Sequence, residues 1–210
     1  MSSVKDVGVN VSRETLDRLE HYLVLLNKWN PKINLVSPNT LVEAWTRHFV
    51  DSAQIFNLVP ENTSSWVDLG TGGGFPGMVV AILGKELNPD LEVSMVESDV
   101  RKCAFLRTVA RETGINATVY NKRIEAVDPL NADIVSARAL AALPLLLELS
   151  TRHVKNGGKL LFPKGMRWKS EVEEARKSWT FALENHTSVT DPNAVILEIG
   201  EITHVGFDAS

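Results

Sequence analysis

A glycine-rich segment gives the first indication of chemistry in this chain. Residues 68–77 read DLGTGGGFPG and directly follow a short apolar run that starts at Trp66. Glycine permits positive φ angles and lets the backbone approach a ligand closely. In an open α/β sheet, a loop between a strand and a helix lies at the carboxyl end of the strand, where ligands bind. The pattern therefore predicts a ligand-binding loop rather than an ordinary turn.

Two acidic residues beside this loop narrow the class of ligand. Gly72, Gly74 and Gly77 fit the G-x-G-x-x-G pattern of dinucleotide-binding folds, and Glu97 follows 20 residues after the last of them. Asp68, however, precedes the first glycine, where it would repel a pyrophosphate and attract a cationic amino or sulfonium group. Glu97 can accept hydrogen bonds from two ribose hydroxyls. The residues favour S-adenosylmethionine (SAM), and a nicotinamide-dependent oxidoreductase is the alternative.

Apolar runs and helical segments alternate from Trp66 onwards, which is typical of an α/β fold. The runs are WVDL (66–69), LEVSMVE (91–97), NATVYN (116–121), ADIVSA (132–137) and GKLLFP (158–163). Helices are predicted between them at about 77–87, 99–113, 139–152 and 168–184, and 194–205 is predicted to form one or two antiparallel strands. The alternation predicts a mostly parallel, doubly wound sheet. The glycine loop D-x-G-x-G-x-G, followed by Glu97 at the end of the second run, resembles the SAM site of Rossmann-like methyltransferases, and this resemblance implies the Rossmann-like fold of SAM-dependent methyltransferases.

The N-terminal part of the chain has a helical pattern instead. Leucines recur at helical spacing within 12–29, where Pro31 is expected to stop the helix. A second helix is predicted from about 40 to 58, ended by Pro60. Residues 1–60 are therefore predicted to form a helical cap, and residues 61–210 one compact SAM-binding core.

Composition excludes several other classes of protein. The chain has 210 residues, 22 Lys+Arg, 26 Asp+Glu and a formal net charge of −4. Its one cysteine, Cys103, excludes an intramolecular disulfide and a Cys-based zinc site, and the five histidines lack metal-ligand spacing. No apolar run approaches the ~20 residues of a membrane span, and the N-terminus lacks a secretory signal. We expect a cytoplasmic protein, a monomer, with no metal site and no membrane contact.

Charge alone does not decide the partner. The stretch 101–123 contains six basic residues and one acidic residue, a local charge of +5, whereas 166–210 carries −4. A mildly acidic protein can bind nucleic acid when such a cluster forms one patch. A solvated helix face is the alternative interpretation of the same residues.

An ordered set of short motifs extends well beyond the glycine loop. It comprises WN (29–30), NL (34–35), RHFVDS (47–52), DLGTGGGFPG (68–77), ES (97–98), RK (101–102), FL (105–106), RIE (123–125), SARA (136–139) and PKG (163–165). This set spans about residues 16–165 and resembles the RsmG family (also called glucose-inhibited division protein B), bacterial methyltransferases of 16S ribosomal RNA. The resemblance implies methyl transfer from SAM to N7 of one guanine, with the small ribosomal subunit or its 16S rRNA as the partner. A non-catalytic RNA-binding module for ribosome assembly is a further alternative.

The resemblance also implies roles for single residues. It places Gly70 and Phe75 against the cofactor, Ile124 and Glu125 beside the adenine, and Arg138 at the mouth of the site near the methyl donor or the RNA. The full set of candidate cofactor-binding residues is Asp68, Gly70, Gly72, Phe75, Glu97, Ile124, Glu125 and Arg138. No catalytic residue is singled out, because guanine N7 offers a free lone pair and has no proton to lose.

Basic residues are the candidates for contact with RNA phosphates. They are Arg47, Arg123, Arg138 and Lys164. Two of the assigned residues have structural alternatives. Ile124 could be ordinary core, and Arg138 could pair with a carboxylate such as Asp133 or Glu125. His48 and Asp51 could likewise form a hydrogen bond within the cap, since they are about one helical turn apart.

Overall fold

The centre of the protein is a seven-stranded sheet, seen in a computed structural model that describes residues 8–205. The strands are β1 (Ser65–Leu69), β2 (Glu92–Glu97), β3 (Ala117–Asn121), β4 (Ala132–Ser136), β5 (Val154–Lys164), β6 (Trp179–Thr187) and β7 (Val195–His204). Their order is β3-β2-β1-β4-β5-β7-β6. The first five pair in parallel, and β7 is antiparallel to both β5 and β6. The predicted mostly parallel sheet is confirmed.

Helices cover both faces of this sheet. The helices that alternate with the strands are α4 (Gly77–Leu87), α5 (Val100–Thr113), α6 (Leu143–Thr151) and α7 (Trp168–Ala175). One hydrophobic core contains side chains of α4 and α5, and a second core contains those of α6 and α7. Asp99 caps α5 by accepting hydrogen bonds from the first-turn amides, and Gly114 ends the helix with φ 66°.

The N-terminal helix α1 (Arg13–Ile33) is longer than expected, because Pro31 lies inside its last turn. The helix ends at Asn34, which adopts φ 55° and donates its backbone N–H to the Asn30 carbonyl at 3.0 Å. Trp29 and Ile33 pack against the first core. We infer that this packing offsets the one backbone hydrogen bond that proline cannot donate.

The single helix predicted for 40–58 was wrong. The chain instead forms α2 (Pro38–Leu41), a π-helix (Trp45–Val50), α3 (Asp51–Ala53) and a 3₁₀ helix (Gln54–Leu58). A π-turn contains an extra residue, so the side chains after it rotate relative to a regular helix, and such turns are frequent at functional sites. The break matters here because the π-helix carries His48 towards the carboxyl ends of the strands.

The helix predicted for 168–184 was also wrong in its second half. Helix α7 ends at Ala175, and Trp179 begins strand β6. Phe181 is buried while its neighbours Thr180 and Ala182 are exposed, which is the period-two pattern of a strand. Pairing with β7 satisfies the backbone of this segment. The predicted antiparallel strand at the end of the chain is confirmed as β7.

The N-terminal helices and the α/β layer share one hydrophobic core. Leu19, Tyr22 and Leu26 of α1 belong to the same buried cluster as Met78 of α4 and Phe105 of α5. The division at residue 60 stays a prediction from the sequence. Within residues 8–205, no helix has the length and apolar character needed to cross a membrane.

Candidate functional site

A cleft of about 770 Å³ opens at the carboxyl ends of the parallel strands. Its walls are the glycine loop after β1, the segment 138–142 after β4, the end of β5, part of the cap and the β6–β7 loop. The volume is in the range of small-molecule binding sites, which run from ~300 to ~1,000 Å³. The position is the one at which doubly wound sheets bind ligands.

Glycine is required at two positions of the loop. Gly70 has φ 61°, and a Cβ atom there would lie 2.6 Å from Leu140 Cδ1. Gly74 has φ 94°, and its Cβ would lie 2.5 Å from the Tyr22 hydroxyl oxygen. Side-chain-bearing residues rarely adopt such φ angles. The backbone of Gly70, Gly72 and Gly73 consequently lines the cleft without side chains, and Thr71 lines it beside them.

Asp68 is fully buried beneath the loop and does not line the cleft. It accepts a hydrogen bond from the Ser136 hydroxyl at 2.7 Å and one from the Gly77 amide at 3.0 Å. Burial raises the pKa of this carboxyl to about 6, although the hydrogen bonds from Ser136 and Gly77 oppose the rise. Asp68 thus fastens the loop and the start of α4 to β4. Its contact with a cationic ligand stays a prediction.

Glu97 at the end of β2 also holds the loop. Its carboxylate accepts hydrogen bonds from the Gly72 amide at 3.0 Å and the Asp99 amide at 2.8 Å. The residue is 8% exposed. The structure therefore brings together Glu97 and Gly72, which the sequence analysis both assigned to the cofactor, while the contact of Glu97 with ribose hydroxyls stays a prediction.

Phe75 lies inside an aromatic cluster at the base of the cleft. Its ring stacks on Tyr22 with centroids 5.3 Å apart and on His48 at 5.1 Å, and it meets the edge of Phe49 at 5.3 Å. The residue is only 3% exposed. Its ring anchors the loop to the cap, and its contact with the cofactor stays a prediction.

Arg138 connects the α/β core to the cap. One terminal nitrogen donates to the Arg47 carbonyl and to Asp51 Oδ2, both at 3.1 Å, and the other donates to His48 Nδ1 at 3.0 Å. The guanidinium carbon lies 5.2 Å from the centroid of the Phe75 ring. The partner carboxylate of Arg138 is therefore Asp51, neither of the two considered from the sequence. Of those two, Asp133 forms an ion pair with Lys155.

The His48 side chain takes part in these contacts of Arg138 in its neutral form. Burial, followed by the charges of Arg138 and Arg47, lowers its pKa to about 3. Because Nδ1 accepts from Arg138, the proton resides on Nε2, which lies 2.9 Å from the Thr40 hydroxyl oxygen. The motif residues His48 and Asp51 thus bind the same guanidinium group.

Asp51 extends the network to the far side of the cleft. Its Oδ1 accepts a hydrogen bond from Gln54 at 2.8 Å and one from the Thr190 hydroxyl at 2.7 Å. Thr190 belongs to the β6–β7 loop, which lies 139 residues further along the chain. The cap, the segment after β4 and the β6–β7 loop are consequently joined through one carboxylate.

The other three residues predicted to contact RNA differ in whether they line the cleft and in how exposed they are. Arg47 lines the cleft and pairs with Asp191 at 3.5 Å. Lys164 also lines it, but its side chain is 9% exposed and donates to Glu171 at 2.7 Å and to the Ala141 carbonyl at 2.8 Å. Arg123 is exposed outside the cleft.

Ile124 and Glu125 lie outside the cleft lining. Ile124 is 8% exposed and packs in the second hydrophobic core, which is the structural role considered for it from the sequence. Its carbonyl lies 3.3 Å from His153 Nε2. The side chain of Glu125 is exposed. The predicted contact of these two residues with an adenine stays a prediction.

Several residues that shape the cleft could not be selected from the sequence. Tyr22 donates its hydroxyl hydrogen to the Gly73 carbonyl, and Thr190 binds Asp51, yet neither stands in a recognisable motif. For the Asp51 side of the network a signal did exist, since RHFVDS was part of the family pattern.

The β6–β7 hairpin carries one group of potential metal ligands that sequence spacing did not predict. Ligand atoms of Glu184, His186 and Glu198 lie within 4.8 Å of one another. Glu198 already forms an ion pair with Lys159 and lies 2.8 Å from His186 Nε2. The ammonium group of Lys159 thus already occupies the side of Glu198 at which a metal ion would bind.

Comparison with solved structures agrees with this fold. The sheet and its helices define the Rossmann-like fold of SAM-dependent methyltransferases. A SAM-dependent methyltransferase from Aquifex aeolicus superposes with a TM-score of 0.59 at 13% identity, covering 78% of this chain and 98% of the other. An O-methyltransferase from Bacillus cereus, solved in complex with S-adenosylhomocysteine, gives 0.58 at 13% identity, covering 94% and 95%.

The sequence is specific enough to assign the family. The family model described as rRNA small subunit methyltransferase G (GidB) matches residues 15–198. A ribosomal RNA small subunit methyltransferase G from a Ruegeria species is 52% identical over 200 residues, covering 95% of this chain and 97% of the relative. The chain belongs to the rRNA small subunit methyltransferase G family, as the motifs predicted.

Proposed function

We propose that this protein transfers the methyl group of SAM to N7 of a specific guanine in 16S rRNA of the small ribosomal subunit. The observation that carries the proposal is the continuity of the cleft, which joins a glycine loop at one end to a polar wall around Arg138, Asp51 and Thr190 at the other. One cavity can thus hold a nucleoside cofactor and an acceptor base side by side.

The glycine-loop end fits SAM. Gly70 and Gly72 present backbone rather than side chains to the cleft, and the Glu97 carboxylate lies behind the loop at the end of β2. Carboxylates in this position can accept hydrogen bonds from ribose hydroxyls. Asp68 would contribute indirectly, by fixing the loop through Gly77.

The methyl transfer itself needs no proton acceptor from the protein. SAM supplies an electrophilic methyl group, and guanine N7 supplies the lone pair. His48, the histidine in the cleft, is unsuited to act as a base because its Nδ1 is occupied by Arg138 and its pKa is lowered to about 3. The work of the chain is to orient the two reactants and exclude water, which supplies roughly 7–11 kcal/mol in favourable cases.

Two carboxylates in the wall, although each is already paired with an arginine, would offset part of the positive charge that develops on the methylated purine. Asp51 and Asp191 both line the cleft near its cap end. N7 of a base-paired guanine is hidden in the deep, narrow major groove of A-form RNA. We therefore expect an unpaired or splayed guanine as the substrate.

The experiment that tests the proposal uses methyl-labelled SAM and small subunits from cells that lack this gene. Nuclease digestion and mass spectrometry then map the label. We expect one labelled 7-methylguanosine in 16S rRNA, and no label with Gly70→Val protein. Label in another nucleotide, or bound SAM without any label, would contradict the proposal.

A further inference from the structure

The cationic side chains of the cleft differ in whether they already have a partner. Within the described residues 8–205, five of them line the cleft. They are Arg47, Lys102, Arg138, Lys164 and Arg167. An RNA phosphate needs a cation whose charge and N–H donors are free to meet it. The state of each side chain therefore separates candidates for RNA contact from cations that hold the fold together.

Three of the five are engaged by carboxylates in the same wall. Arg138 pairs with Asp51 at 3.1 Å, and Lys164 pairs with Glu171 at 2.7 Å. Both cations are largely buried, with side chains 17% and 9% exposed. The third, Arg47, is more exposed and lies 3.5 Å from a carboxylate oxygen of Asp191. Recruiting Arg138 or Lys164 to a phosphate would break a buried pair and leave its carboxylate uncompensated.

Lys102 and Arg167 are the two remaining cationic residues of the cleft. Among the described residues, neither side chain has a hydrogen-bond or ion-pair partner. Lys102 lies in the first turn of α5, and of the six basic residues in 101–123 it is the one that reaches the cleft. Arg167 is exposed at the end of β5, just before α7.

The two residues stand on different flanks of the cleft. Lys102 follows β2 and Arg167 follows β5, and the sheet order puts β1 and β4 between these strands. Three strand spacings of about 4.8 Å separate β2 from β5 by about 14 Å. Cations that follow strands so far apart are suited to meet different phosphates of one strand.

Three exposed apolar side chains lie close in the sequence to residues that line the cleft. Met166, next to Arg167, is 78% exposed, and Val42 in the cap is 93% exposed. Val189 of the β6–β7 loop is 64% exposed. Unpaired bases offer apolar faces to such side chains, whereas a fully paired duplex presents mainly phosphates and sugars.

We propose that Lys102 and Arg167 bind phosphates on the two sides of the target guanine, and that Arg138 and Lys164 are positioning residues of the cleft wall. This inference rests on the proposed function, because it names the RNA contacts of the same site. A single strand would then run across the cleft from the α5 side to the β5 side, with its unpaired guanine turned inwards.

The test compares each cation with a matched neighbour outside the cleft. Lys102→Gln is paired with Arg101→Gln, whose native side chain is exposed on the same turn and pairs with Asp99. Arg167→Gln is paired with Lys169→Gln, whose native ammonium lies over the Trp168 ring. For all four, we would measure binding to unmethylated small subunits as a function of salt, the KM and kcat of methylation, and SAM affinity by calorimetry.

We expect each cleft variant to raise the KM for subunits several-fold with kcat and SAM affinity unchanged. Each should also reduce the slope of log affinity against log salt by about 0.7, the value for one phosphate contact with a single strand. The two neighbour variants should leave the slope as it is. Equal losses in the neighbours, an unchanged slope in both cleft variants, or weakened SAM binding by Lys102→Gln would each overturn the inference.

The same experiment separates this inference from the proposed function. Suppose that wild-type protein methylates the subunit, and that both cleft variants show the same slope of log affinity against log salt as wild type. In that case only the assignment of Lys102 and Arg167 fails. If wild-type protein methylates no subunit at all, the proposed function fails and the inference fails with it.

Discussion

The glycine-loop end of the cleft and its cap end are constructed by different means. At the loop end, contiguous residues set the geometry, because Gly70 and Gly74 adopt positive φ angles and have no room for a Cβ atom. At the cap end, side chains far apart in the sequence set it, since Asp51 binds Arg138 across 87 residues and Thr190 across 139. The loop end should therefore fail abruptly on a single substitution, whereas the cap end should lose stability in graded steps.

The largest effect is expected at the loop end. Gly70→Val places a β-branched side chain at φ 61°, 2.6 Å from Leu140 Cδ1. Valine is poorly suited to positive φ, and its methyl groups would also project towards the cleft wall. We expect SAM affinity, measured by calorimetry, to fall by at least about 100-fold, equivalent to about 2.8 kcal/mol.

Two further variants show whether crowding or backbone strain is responsible. Gly200→Val is the matched control, because no heavy atom lies within 4 Å of a Cβ at that strand position. The double variant Gly70→Ala/Leu140→Ala removes the crowding but keeps the positive φ at residue 70. We expect it to bind SAM more tightly than Gly70→Ala alone and less tightly than wild type. Native SAM affinity in a folded Gly70→Val protein would rule out our account of the loop.

At the cap end, Arg138→Gln should produce the largest loss of stability. The substitution removes the charged hydrogen bonds to Asp51, His48 and the Arg47 carbonyl. Hydrogen bonds to charged groups contribute about 1.5–3 kcal/mol, and we expect a loss of that size in urea unfolding. The double variant with Asp51→Asn should lose less than the sum of the single losses. Additivity within about 0.3 kcal/mol would mean that the two residues do not act as a bridge.

His48 gives the cap end a pH dependence. Its pKa is about 3 in the folded protein and near 6.5 when unfolded, so between these values the unfolded chain binds more protons. Stability should therefore fall as the pH is lowered through this window, by up to about 2 kcal/mol between pH 6.5 and pH 5. His48→Gln can still accept from Arg138 and donate to Thr40, but it cannot titrate.

The comparison of His48→Gln with wild type isolates this contribution. Asp68, whose folded pKa is raised to about 6, makes an opposite contribution that is lost as the pH rises from about 4 to 6. That contribution is present in both proteins and cancels in their difference. The stability advantage of wild type should shrink from pH 7 to pH 5, and a difference that does not vary with pH would show that His48 is not held neutral.

The smallest effect is expected for Arg47→Gln. The Arg47–Asp191 pair is 3.5 Å long, and its side chains are 45% and 36% exposed. Exposed pairs of this kind contribute about 0.2–1 kcal/mol. Urea unfolding should register a loss within that range, and SAM affinity should not change. A loss as large as that of Arg138→Gln would show that the β6–β7 loop depends on Arg47 rather than on Thr190.

This contrast also explains how much the sequence could predict. The parallel sheet, the glycine loop and helices α4 and α5 follow from local signals, such as the apolar runs, Asp99 as a cap and Gly114 as a stop. The break in the cap helix and the strand β6 depend instead on contacts with distant parts of the chain. For β6 this contact is its pairing with β7. Short-range periodicity does not contain that information.

The same limit applied to the residues of the candidate site. Glu97 and Gly72 could be placed together because parallel strands end at one edge of the sheet. The partner of Arg138 could not be identified from the sequence, since a carboxylate in the cap and one beside β4 are equally compatible with it. Whether a cation is free or engaged, as for Arg167 and Lys164, likewise becomes visible only in the folded chain.

A crystal structure of the protein with S-adenosylhomocysteine tests the central claim most directly. The account predicts that the nucleoside lies against the backbone of Gly70 and Gly72 with Glu97 nearby, and that the part of the cleft in front of the wall formed by Arg138, Asp51 and Thr190 stays open for the base. A ligand seated against Arg138 and Thr190 instead, or outside the cleft, would contradict the division of the cleft into a cofactor end and an acceptor end.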